Sequence, residues 1–297
     1  MKQTHDVACL GPVGTYSEDA AIGYFGAAAQ RLLLPSLDAV FSAVESGECP
    51  HGIVAVENTT EGSVPRTLDL LATADLKVCG ELTLPIHHAL MSTAKTLADI
   101  RCVRAHAQAL AQCNSWLSAH LPEARREAVL SNAEGARLAS LDSASAAIAS
   151  ARSAGQYAVP VLFADIQDNA TNQTRFLVLG KEDRAWTENA KTSLIVSVVN
   201  QPGTLYKALE PFYRHSVSMS RLESRPSRHA VWEYNFYIDL VGHRSDPAIA
   251  SALDELGRIA TVRLLGSFPV SSTDRAVDAP PVPKAGHPDD ASGSAGD

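Results

Sequence analysis

Three polar segments of the sequence contain residue types that can bind an anion or transfer a proton. Residues 11–17 (GPVGTYS) and 56–64 (VENTTEGSV) each follow an apolar run and precede a helical pattern, whereas residues 166–176 (IQDNATNQTRF) lead into an apolar run. Hydroxyl, amide and backbone N–H groups at strand-to-helix junctions can hold a negatively charged ligand. Each segment on its own is also typical of a capped turn or a solvated loop. The segments therefore indicate a ligand site without identifying its chemistry.

The first two segments differ in the groups that they offer. Thr15 and Ser17 can cap the helix that follows, although Glu18 and Asp19 in its first turn already compensate for the helix dipole and weaken the case for a bound anion. Asn58, in the second segment, offers both a donor and an acceptor to a substrate. In α/β sheets ligands lie beyond the carboxyl ends of the strands, and both segments have that placement.

The third segment ends at the entry of a predicted strand. Because side chains alternate along a strand, Thr174 and Phe176 share one face and Arg175 takes the other. At the strand entry itself, both Thr174 and Arg175 can reach a cleft.

The sequence lacks the spacing of several familiar sites. No Ser-His-Asp or Cys-His arrangement, metal-ligand spacing, dinucleotide fingerprint or phosphate-binding loop is recognisable, so neither a metal nor a cofactor is expected. We interpret His87, His88 and His106 as structural or solvated. The five cysteines form no C-x-x-C pair, which favours small buried thiols in a reducing compartment over disulfides or zinc.

The charge and hydropathy of the chain argue against nucleic-acid and membrane partners. The net charge is −8, and Lys and Arg form no basic block of the kind that a phosphate backbone requires. The N-terminus has no long apolar segment, and no run of about 18 apolar residues occurs. The sequence therefore predicts a soluble cytoplasmic protein.

The predicted elements divide the chain into an α/β domain at residues 1–181, a second domain at residues 190–270 and a disordered tail at residues 271–297. In the first domain, apolar runs alternate with Ala-rich helical stretches, one of them predicted at residues 145–151, which indicates a layered α/β domain with mostly parallel strands. A polar stretch at residues 181–192 separates it from a β-α-β-β-α-β order, the ferredoxin-like arrangement. The tail has too few apolar residues to offset its ordering entropy.

Together the three segments resemble the motifs of the prephenate dehydratases. Residues 11–21 (GPVGTYSEDAA) are similar to the opening motif of the family, residues 56–64 to its E-N-S-x-x-G-x-V motif, and residues 166–176 to its signature, which ends in Thr-Arg-Phe. Residues 200–209 (NQPGTLYKAL) and 220–243 resemble the Pro-Gly-Ala-Leu and E-S-R-P motifs of an ACT regulatory domain. Shorter stretches such as IHHAL and AHAQALAQC match in the same order.

The resemblance implies a bilobed catalytic domain, similar to periplasmic binding proteins, followed by a ferredoxin-like ACT domain. It implies a hydro-lyase that converts prephenate to phenylpyruvate in L-phenylalanine biosynthesis, with loss of water and carbon dioxide and without a cofactor. Thr174 is implied to be the key catalytic residue, and the other implied catalytic residues are Glu57, Asn58, Gln112 and Arg175. The implied substrate-binding residues are Thr15, Ser17, Thr59 and Phe176.

The same resemblance implies that the second domain binds phenylalanine as an effector at an interface between copies of the chain. The implied effector residues are Asn200, Gly203, Leu205, Glu223 and Ser224, and a homodimer or homotetramer through the ACT domains is expected. Three residues depart from the family pattern: Thr59 and Ala105 replace serine, and Thr204 replaces alanine. These departures concern the placement of the substrate and the affinity for the effector, not the reaction.

The implied reaction sets what the site must do. Loss of carbon dioxide and water yields an aromatic ring, so the protein must orient the substrate and protonate the leaving hydroxyl. We expect Thr174 to deliver or relay that proton, with a neighbouring group or a water lending it acidity. We expect Arg175 to pair with the side-chain carboxylate of the substrate, because gripping the departing carboxylate would stabilise the ground state.

Other functions fit parts of the same pattern. An arogenate dehydratase performs the same elimination on the aminated substrate. Thr174 argues against a non-aromatising prephenate decarboxylase, and the intact Thr-Arg-Phe segment argues against a catalytically silent amino-acid sensor. No chorismate mutase domain is recognisable, so a separate mutase is expected to supply the substrate.

Overall fold

The structure, a computed structural model, describes residues 5–227 and 234–270. The described residues belong to two compact units. Unit 2 contains residues 11–19 and 85–173, and unit 1 contains the other described residues. The tail that the sequence predicts to be disordered, residues 271–297, lies outside the described residues.

The described elements are fifteen strands, nine α-helices and one 3₁₀ helix at Leu97–Asp99. The strands are β1 (Val7–Leu10), β2 (Arg31–Leu34), β3 (His51–Asn58), β4 (Gly62–Ser63), β5 (Lys77–Pro85), β6 (Ala89–Ser92), β7 (Cys102–Ala105), β8 (Arg125–Ala128), β9 (Ser145–Ala149), β10 (Val161–Phe163), β11 (Gln173–Gly180), β12 (Ala190–Val198), β13 (Met219–Pro226), β14 (Tyr234–Val241) and β15 (Thr261–Pro269). The α-helices are α1 (Tyr16–Phe25), α2 (Leu37–Glu45), α3 (Pro65–Thr73), α4 (Ala107–Gln112), α5 (Asn114–His120), α6 (Asn132–Ser140), α7 (Ala151–Tyr157), α8 (Thr204–Arg214) and α9 (Pro247–Leu256).

Local sequence signals explain where several helices begin. Ser36 Oγ accepts a hydrogen bond from Ala39 N (3.2 Å) at the start of α2, and Ser131 Oγ accepts one from Glu134 N (3.0 Å) at the start of α6. Pro65 occupies the first turn of α3, where the missing N–H has no intrahelical partner to lose. These residues therefore set the helix starts independently of the packing around them.

The first sheet of unit 1 brings a distant segment of the chain into its middle. Its order is β2-β1-β3-β11-β5, with β4 paired to β3. Strands β1, β2 and β3 are parallel, whereas β11 runs antiparallel to β3 and places Thr174 opposite Asn58. The sequence predicts mostly parallel strands, whereas the described sheets of the α/β part are mixed. The antiparallel strand β11 carries Thr174 and Arg175.

The second sheet of unit 1 is antiparallel, in the order β13-β14-β12-β15. The element order β12-α8-β13-β14-α9-β15 confirms the predicted β-α-β-β-α-β arrangement. Leu194 and Val196 pack in a cluster with residues of α8 and α9, whereas Ile195 between them packs in the cluster that contains residues of the first sheet. The two sheets therefore share a hydrophobic core. Unit 1 includes parts of both predicted domains, 1–181 and 190–270, whose bounds stay a prediction.

Unit 2 contains a five-stranded mixed sheet in the order β10-β6-β9-β7-β8. Its central strand β9 is buried along its whole length. The helix that the sequence predicts at residues 145–151 is therefore wrong for most of its length. Alanine favours helices, but the small side chains of β9 fit between β6 and β7, and burial on both faces outweighs the local preference.

Candidate active site

Asn58 and Thr174 form a hydrogen-bonded pair at the centre of the candidate site in unit 1. The two residues lie opposite each other on β3 and β11, and Asn58 Nδ2 donates a hydrogen bond of 2.9 Å to Thr174 Oγ1. The amide orientation is fixed, because Asn58 Oδ1 accepts from the backbone N–H groups of Thr60 (2.9 Å) and Glu61 (3.0 Å). Thr174 Oγ1 is therefore an acceptor towards Asn58, and its own proton is directed elsewhere.

A tight turn joins β3 to β4. It contains the exposed residue Thr59 and Gly62 at φ +81°, a left-handed conformation that glycine adopts at little cost. Glu57 and Ser63 lie opposite each other on its two strands. Arg221 Nε donates to Glu57 Oε2 (3.0 Å), and Arg221 Nη2 donates to Ser63 Oγ (2.9 Å). A single guanidinium therefore fastens both strands of the turn.

Arg175 lies in a buried ion cluster. Its Nε donates to Glu81 Oε2 (2.7 Å) and its Nη1 to Asp239 Oδ2 (2.5 Å), and its side chain is 14% exposed. Lys191 Nζ lies 2.7 Å from Glu81 Oε1, so two cations face two carboxylates. Burial opposes the charge of Arg175, but Asp239 and Glu81 outweigh this effect and raise the pKa of the guanidinium. The carboxylates of Glu81 and Asp239 thus bind the guanidinium that we expect, from the sequence, to bind a carboxylate of the substrate.

Phe176 follows an irregularity in the pairing of β11 with β3, where β3 carries the extra residue Val56. The register of β11 against β3 shifts between Arg175 and Phe176. Bulges of this kind re-aim side chains and are common beside functional sites. Phe176 is 1% exposed, so its ring packs in the interior and anchors the strand that carries Thr174. A direct contact of Phe176 with the substrate stays a prediction.

Gln112 is the centre of a polar network in unit 2. Gln112 Oε1 accepts from His88 Nε2 (2.8 Å) and Asn172 Nδ2 (3.1 Å), and His88 Nδ1 lies 2.9 Å from the Tyr16 hydroxyl. Burial lowers the pKa of His88, so its ring is neutral at pH 7. The proton then lies on Nε2, because Gln112 Oε1 can only accept. The network turns the side-chain NH₂ group of Gln112 away from His88.

The first polar segment is closed by its own hydrogen bonds. Gly14 N donates to Glu18 Oε2 (2.7 Å), and Thr15 Oγ1 accepts from Glu18 N (3.3 Å). Ser17 is buried at the start of α1. The Glu18 carboxylate therefore occupies the position near Gly14 where an anion would bind, as its place in the sequence indicates. Contacts of Thr15 and Ser17 with a substrate stay predictions.

The predicted effector residues lie on two elements of unit 1. Asn200, Gly203 and Leu205 surround the start of α8, where Gly203 adopts φ +82°. Glu223 and Ser224 lie on β13, at the edge of the second sheet. Effector binding by these five residues stays a prediction.

The structure assigns the predicted catalytic residues to both units. Unit 1 carries four of them on the neighbouring strands β3 and β11, with Asn58 and Thr174 on one face and Glu57 and Arg175 on the other. Gln112 belongs to unit 2. The sequence reasoning missed the residues that hold these side chains, namely Tyr16, Glu81, His88, Asn172, Arg221 and Asp239. Tyr16, His88 and Asn172 lie within stretches already matched to the family, so a signal for them existed, whereas nothing in the sequence ties Asp239 to Arg175.

The described part of the chain contains no metal cluster, disulfide or membrane-spanning helix. Among residues 5–227 and 234–270, no group of three or more His, Cys, Asp or Glu side chains is arranged to hold a metal ion. The five cysteines, all within these residues, are buried and form no disulfide. No helix in these residues is long and apolar enough to cross a membrane.

Comparison with known proteins gives matches along most of the chain. The prephenate dehydratase family model matches residues 7–184, and the ACT domain model matches residues 192–258. A bifunctional chorismate mutase/prephenate dehydratase from Neisseria gonorrhoeae is 45% identical over 269 residues, which cover 89% of this chain and 74% of that protein.

Two solved structures are similar over nearly their whole length. The crystal structure of a prephenate dehydratase from Arthrobacter aurescens in complex with L-Phe is 34% identical, with a TM-score of 0.84, and the match covers 93% of each chain. A solved protein called GqqA, described as a novel type of quorum-quenching acylase, is 29% identical, with a TM-score of 0.81, and the match covers 90% of this chain and 98% of that chain.

Proposed function

Because this chain belongs to the prephenate dehydratase family, we propose that it converts prephenate to phenylpyruvate and that Thr174 donates the proton on which the reaction depends. The observation that carries this proposal is the hydrogen bond of 2.9 Å from Asn58 Nδ2 to Thr174 Oγ1. It holds a hydroxyl group in a fixed place on a strand and leaves the hydroxyl proton for another acceptor.

The reaction needs one proton and no redox partner. The bond between the ring and its carboxylate breaks and releases carbon dioxide. Its electron pair completes the aromatic ring while the carbon–oxygen bond across the ring breaks. The departing hydroxide takes one proton and leaves as water. Aromatisation supplies much of the driving force, so the protein has to orient the substrate and deliver that proton.

Asn58 supplies the acidity that a threonine hydroxyl lacks by itself. As the proton moves from Thr174 to the leaving oxygen, negative charge develops on Thr174 Oγ1. The Asn58 NH₂ group is already aimed at that atom. A donor fixed in this way stabilises the developing charge more strongly than it stabilises the neutral hydroxyl, and it therefore lowers the barrier. A proton from bulk solvent then returns to Thr174 Oγ1, so each turnover consumes one proton.

Phenylalanine regulation is the second part of the proposal. The match to an ACT domain at residues 192–258 and the L-Phe bound to the Arthrobacter relative support it. The residues proposed to bind the effector are Asn200, Gly203, Leu205, Glu223 and Ser224. We place them at an interface between copies of the chain in a homodimer or homotetramer. Phenylalanine then shifts the enzyme between two states because it binds one of them more tightly than the other.

An assay of the purified full chain tests the reaction. Prephenate and arogenate are supplied in parallel, phenylpyruvate is followed by its absorbance, and phenylalanine is detected separately. Rapid phenylpyruvate formation from prephenate supports the proposal. Phenylalanine formed only from arogenate would move the assignment to the aminated substrate. An N-acylated amine is supplied as a third compound, because one similar structure is described as an acylase. Cleavage of this compound without turnover of prephenate would overturn the proposal.

The regulatory part needs its own measurement. Initial rates with and without millimolar-scale phenylalanine are compared, and sedimentation reports the assembly in both conditions. A changed rate supports an effector site. The melting temperature of the protein is also measured with and without phenylalanine. If neither the rate nor the melting temperature changes, phenylalanine regulation is overturned and the reaction assignment stays intact.

A further inference from the structure

We propose that Arg221, a residue of the ACT domain, positions the dehydratase site from the opposite face of its strands. The inference rests on the proposed function, because it links Arg221 to the pair formed by Asn58 and Thr174. Arg221 acts through Glu57 and Ser63, so it is a positioning residue and not a catalytic one.

The pairing of β3 with β11 creates two faces with different partners. Asn58 lies opposite Thr174, and one residue further along Glu57 lies opposite Arg175. Successive side chains on a strand point to opposite faces, so Glu57 and Arg175 share the face that Asn58 and Thr174 do not use. The first face holds the candidate catalytic pair, and the second holds a pair of opposite charges.

Both residues of the second face, Glu57 and Arg175, form ion pairs with residues of the ACT domain. Arg221 Nε lies 3.0 Å from Glu57 Oε2, and Arg175 Nη1 lies 2.5 Å from Asp239 Oδ2. Arg221 and Asp239 are themselves opposite each other on β13 and β14. Two cross-strand pairs, one in each sheet, therefore face each other with complementary charges. This arrangement ties the position of β13 and β14 to that of β3 and β11.

Arg221 is the member of this group that reaches the turn beside Asn58. Its side chain is 10% exposed, and it donates to Glu57 on β3 and to Ser63 on β4. The turn between those strands supplies the backbone N–H groups of Thr60 and Glu61, which hold Asn58 Oδ1. The orientation of the Asn58 amide therefore depends on the turn that Arg221 fastens.

Loss of Arg221 should loosen this turn and misdirect the Asn58 NH₂ group. A small misplacement of a group that acts in the transition state lowers kcat more than it raises KM. In the variant Arg221→Met, we expect kcat to fall on the order of tenfold and KM to change less than about twofold. Arg221→Lys keeps the charge but reaches only one of the two acceptors, so it should restore part of the rate.

A matched control comes from the same sheet. Arg263 on β15, in the same sheet as Arg221, also donates to another part of unit 1. Its acceptor is the backbone oxygen of Ala74, which lies in a different segment from the β3–β4 turn. Arg263→Met therefore removes a similar contact without touching β3, β4 or β11. We expect its kcat to stay within about twofold of the wild-type value.

Hydrogen exchange of the full-length protein gives a readout that does not depend on turnover. In Arg221→Met, the amides of Thr60, Glu61 and Val64 should exchange on the order of tenfold faster, and in Arg263→Met they should be unchanged.

Unchanged exchange in Arg221→Met would overturn the inference, as would an equal loss of kcat in both variants. A wild-type chain that does not turn over prephenate would defeat the proposed function, while the exchange rates would still decide whether Arg221 holds the turn. If Arg221→Met does not fold, Arg221→Lys decides in the same way.

Discussion

Asn58 and Thr174 are separated by 116 positions in the sequence, yet Asn58 Nδ2 and Thr174 Oγ1 lie 2.9 Å apart. The contact exists because β11 inserts next to β3 in the antiparallel direction. The donor of this pair belongs to the second polar segment and the acceptor to the third. Two segments that look unrelated in the sequence thereby form one hydrogen-bonded pair, to which we assign the proposed proton transfer.

Replacing Thr174 tests that group directly. Thr174→Ala removes the hydroxyl but leaves the backbone of β11 unchanged, so kcat should fall by about 10² to 10⁴ while KM changes little. Thr174→Ser keeps the hydroxyl and should retain part of the activity. Steady-state rates with prephenate provide the measurement. Thr171→Ala is a suitable control, because the Thr171 hydroxyl is exposed and donates to Asn169 Oδ1 (2.9 Å). A Thr174→Ala enzyme with normal kcat would remove Thr174 from the proposed role.

Arg175 is the subject of two hypotheses with different consequences. If it binds a substrate carboxylate, Arg175→Met should raise KM and leave stability unchanged. If its partners are Glu81 and Asp239, the same change leaves Glu81 paired with Lys191 and leaves the buried Asp239 without its guanidinium, so it should lower the free energy of unfolding by about 3–5 kcal/mol. Urea denaturation and KM, measured on the same preparation, distinguish the two. We expect the loss of stability, since the guanidinium is buried with both carboxylates at hydrogen-bond distance.

Strand alternation explains what the sequence could and could not predict about Arg175. The period of two places Thr174 on one face and Arg175 on the other, and this much can be read from three successive residues. The partner Asp239 lies in a different sheet, and its approach depends on how the two sheets of unit 1 pack. No local pattern encodes that packing.

The helix predicted at residues 145–151 is wrong for the same reason, because the packing around β9 is not encoded in a local pattern. Residues 145–149 (SAAIA) have a high intrinsic preference for helix, and a sequence pattern reports that preference. The small side chains are instead needed where β9 lies between β6 and β7. The second sheet was predictable because its strands are long and apolar, as in the run of Leu194, Ile195 and Val196, whose side chains are buried on both faces of β12.

The network around Gln112 predicts a coupled effect of two substitutions. His88→Phe removes the donor to Gln112 Oε1, and Gln112→Leu removes the acceptor. Gln112→Leu should cost about 1–3 kcal/mol of stability, because it leaves the buried His88 Nε2–H without its acceptor. His88→Phe should cost less, because Gln112 is only partly buried and its Oε1 still accepts from Asn172. The double variant should cost less than the sum, since it leaves neither group unpaired. Strict additivity in denaturation experiments would show that the two side chains do not depend on each other.

The depressed pKa of His88 adds a pH dependence with a defined sign. Burial lowers the pKa of His88 below its usual value of 6.5. As the pH falls below 6.5, the unfolded chain takes up a proton that the folded chain does not, so His88 lowers the stability of the wild type on the acidic side. The difference in unfolding free energy between wild type and His88→Phe should therefore shrink as the pH is lowered. A difference that is constant between pH 5 and pH 8 would contradict a buried neutral ring.

Asp19 should produce a pH dependence of the opposite sign. Burial raises the pKa of Asp19 from 3.8 to about 6, although Arg152 Nε, 2.5 Å from Asp19 Oδ1, opposes the rise. Below pH 3.8 the carboxyl is protonated in both states, and its full contribution is present. As the pH rises to about 6, the unfolded chain ionises first, so the wild type loses about 3 kcal/mol of stability.

Asp19→Asn lacks this loss, so its stability relative to the wild type should rise between pH 4 and pH 6 and then level off. Asp38→Asn is the control, because the hydrogen bond from Arg66 lowers the pKa of the exposed Asp38. Its difference curve should be nearly flat between pH 4 and pH 6 and should slope the other way only around and below pH 3.8. Urea denaturation across this range measures both curves, and a flat curve for Asp19→Asn would show that Asp19 ionises like an ordinary solvated carboxylate.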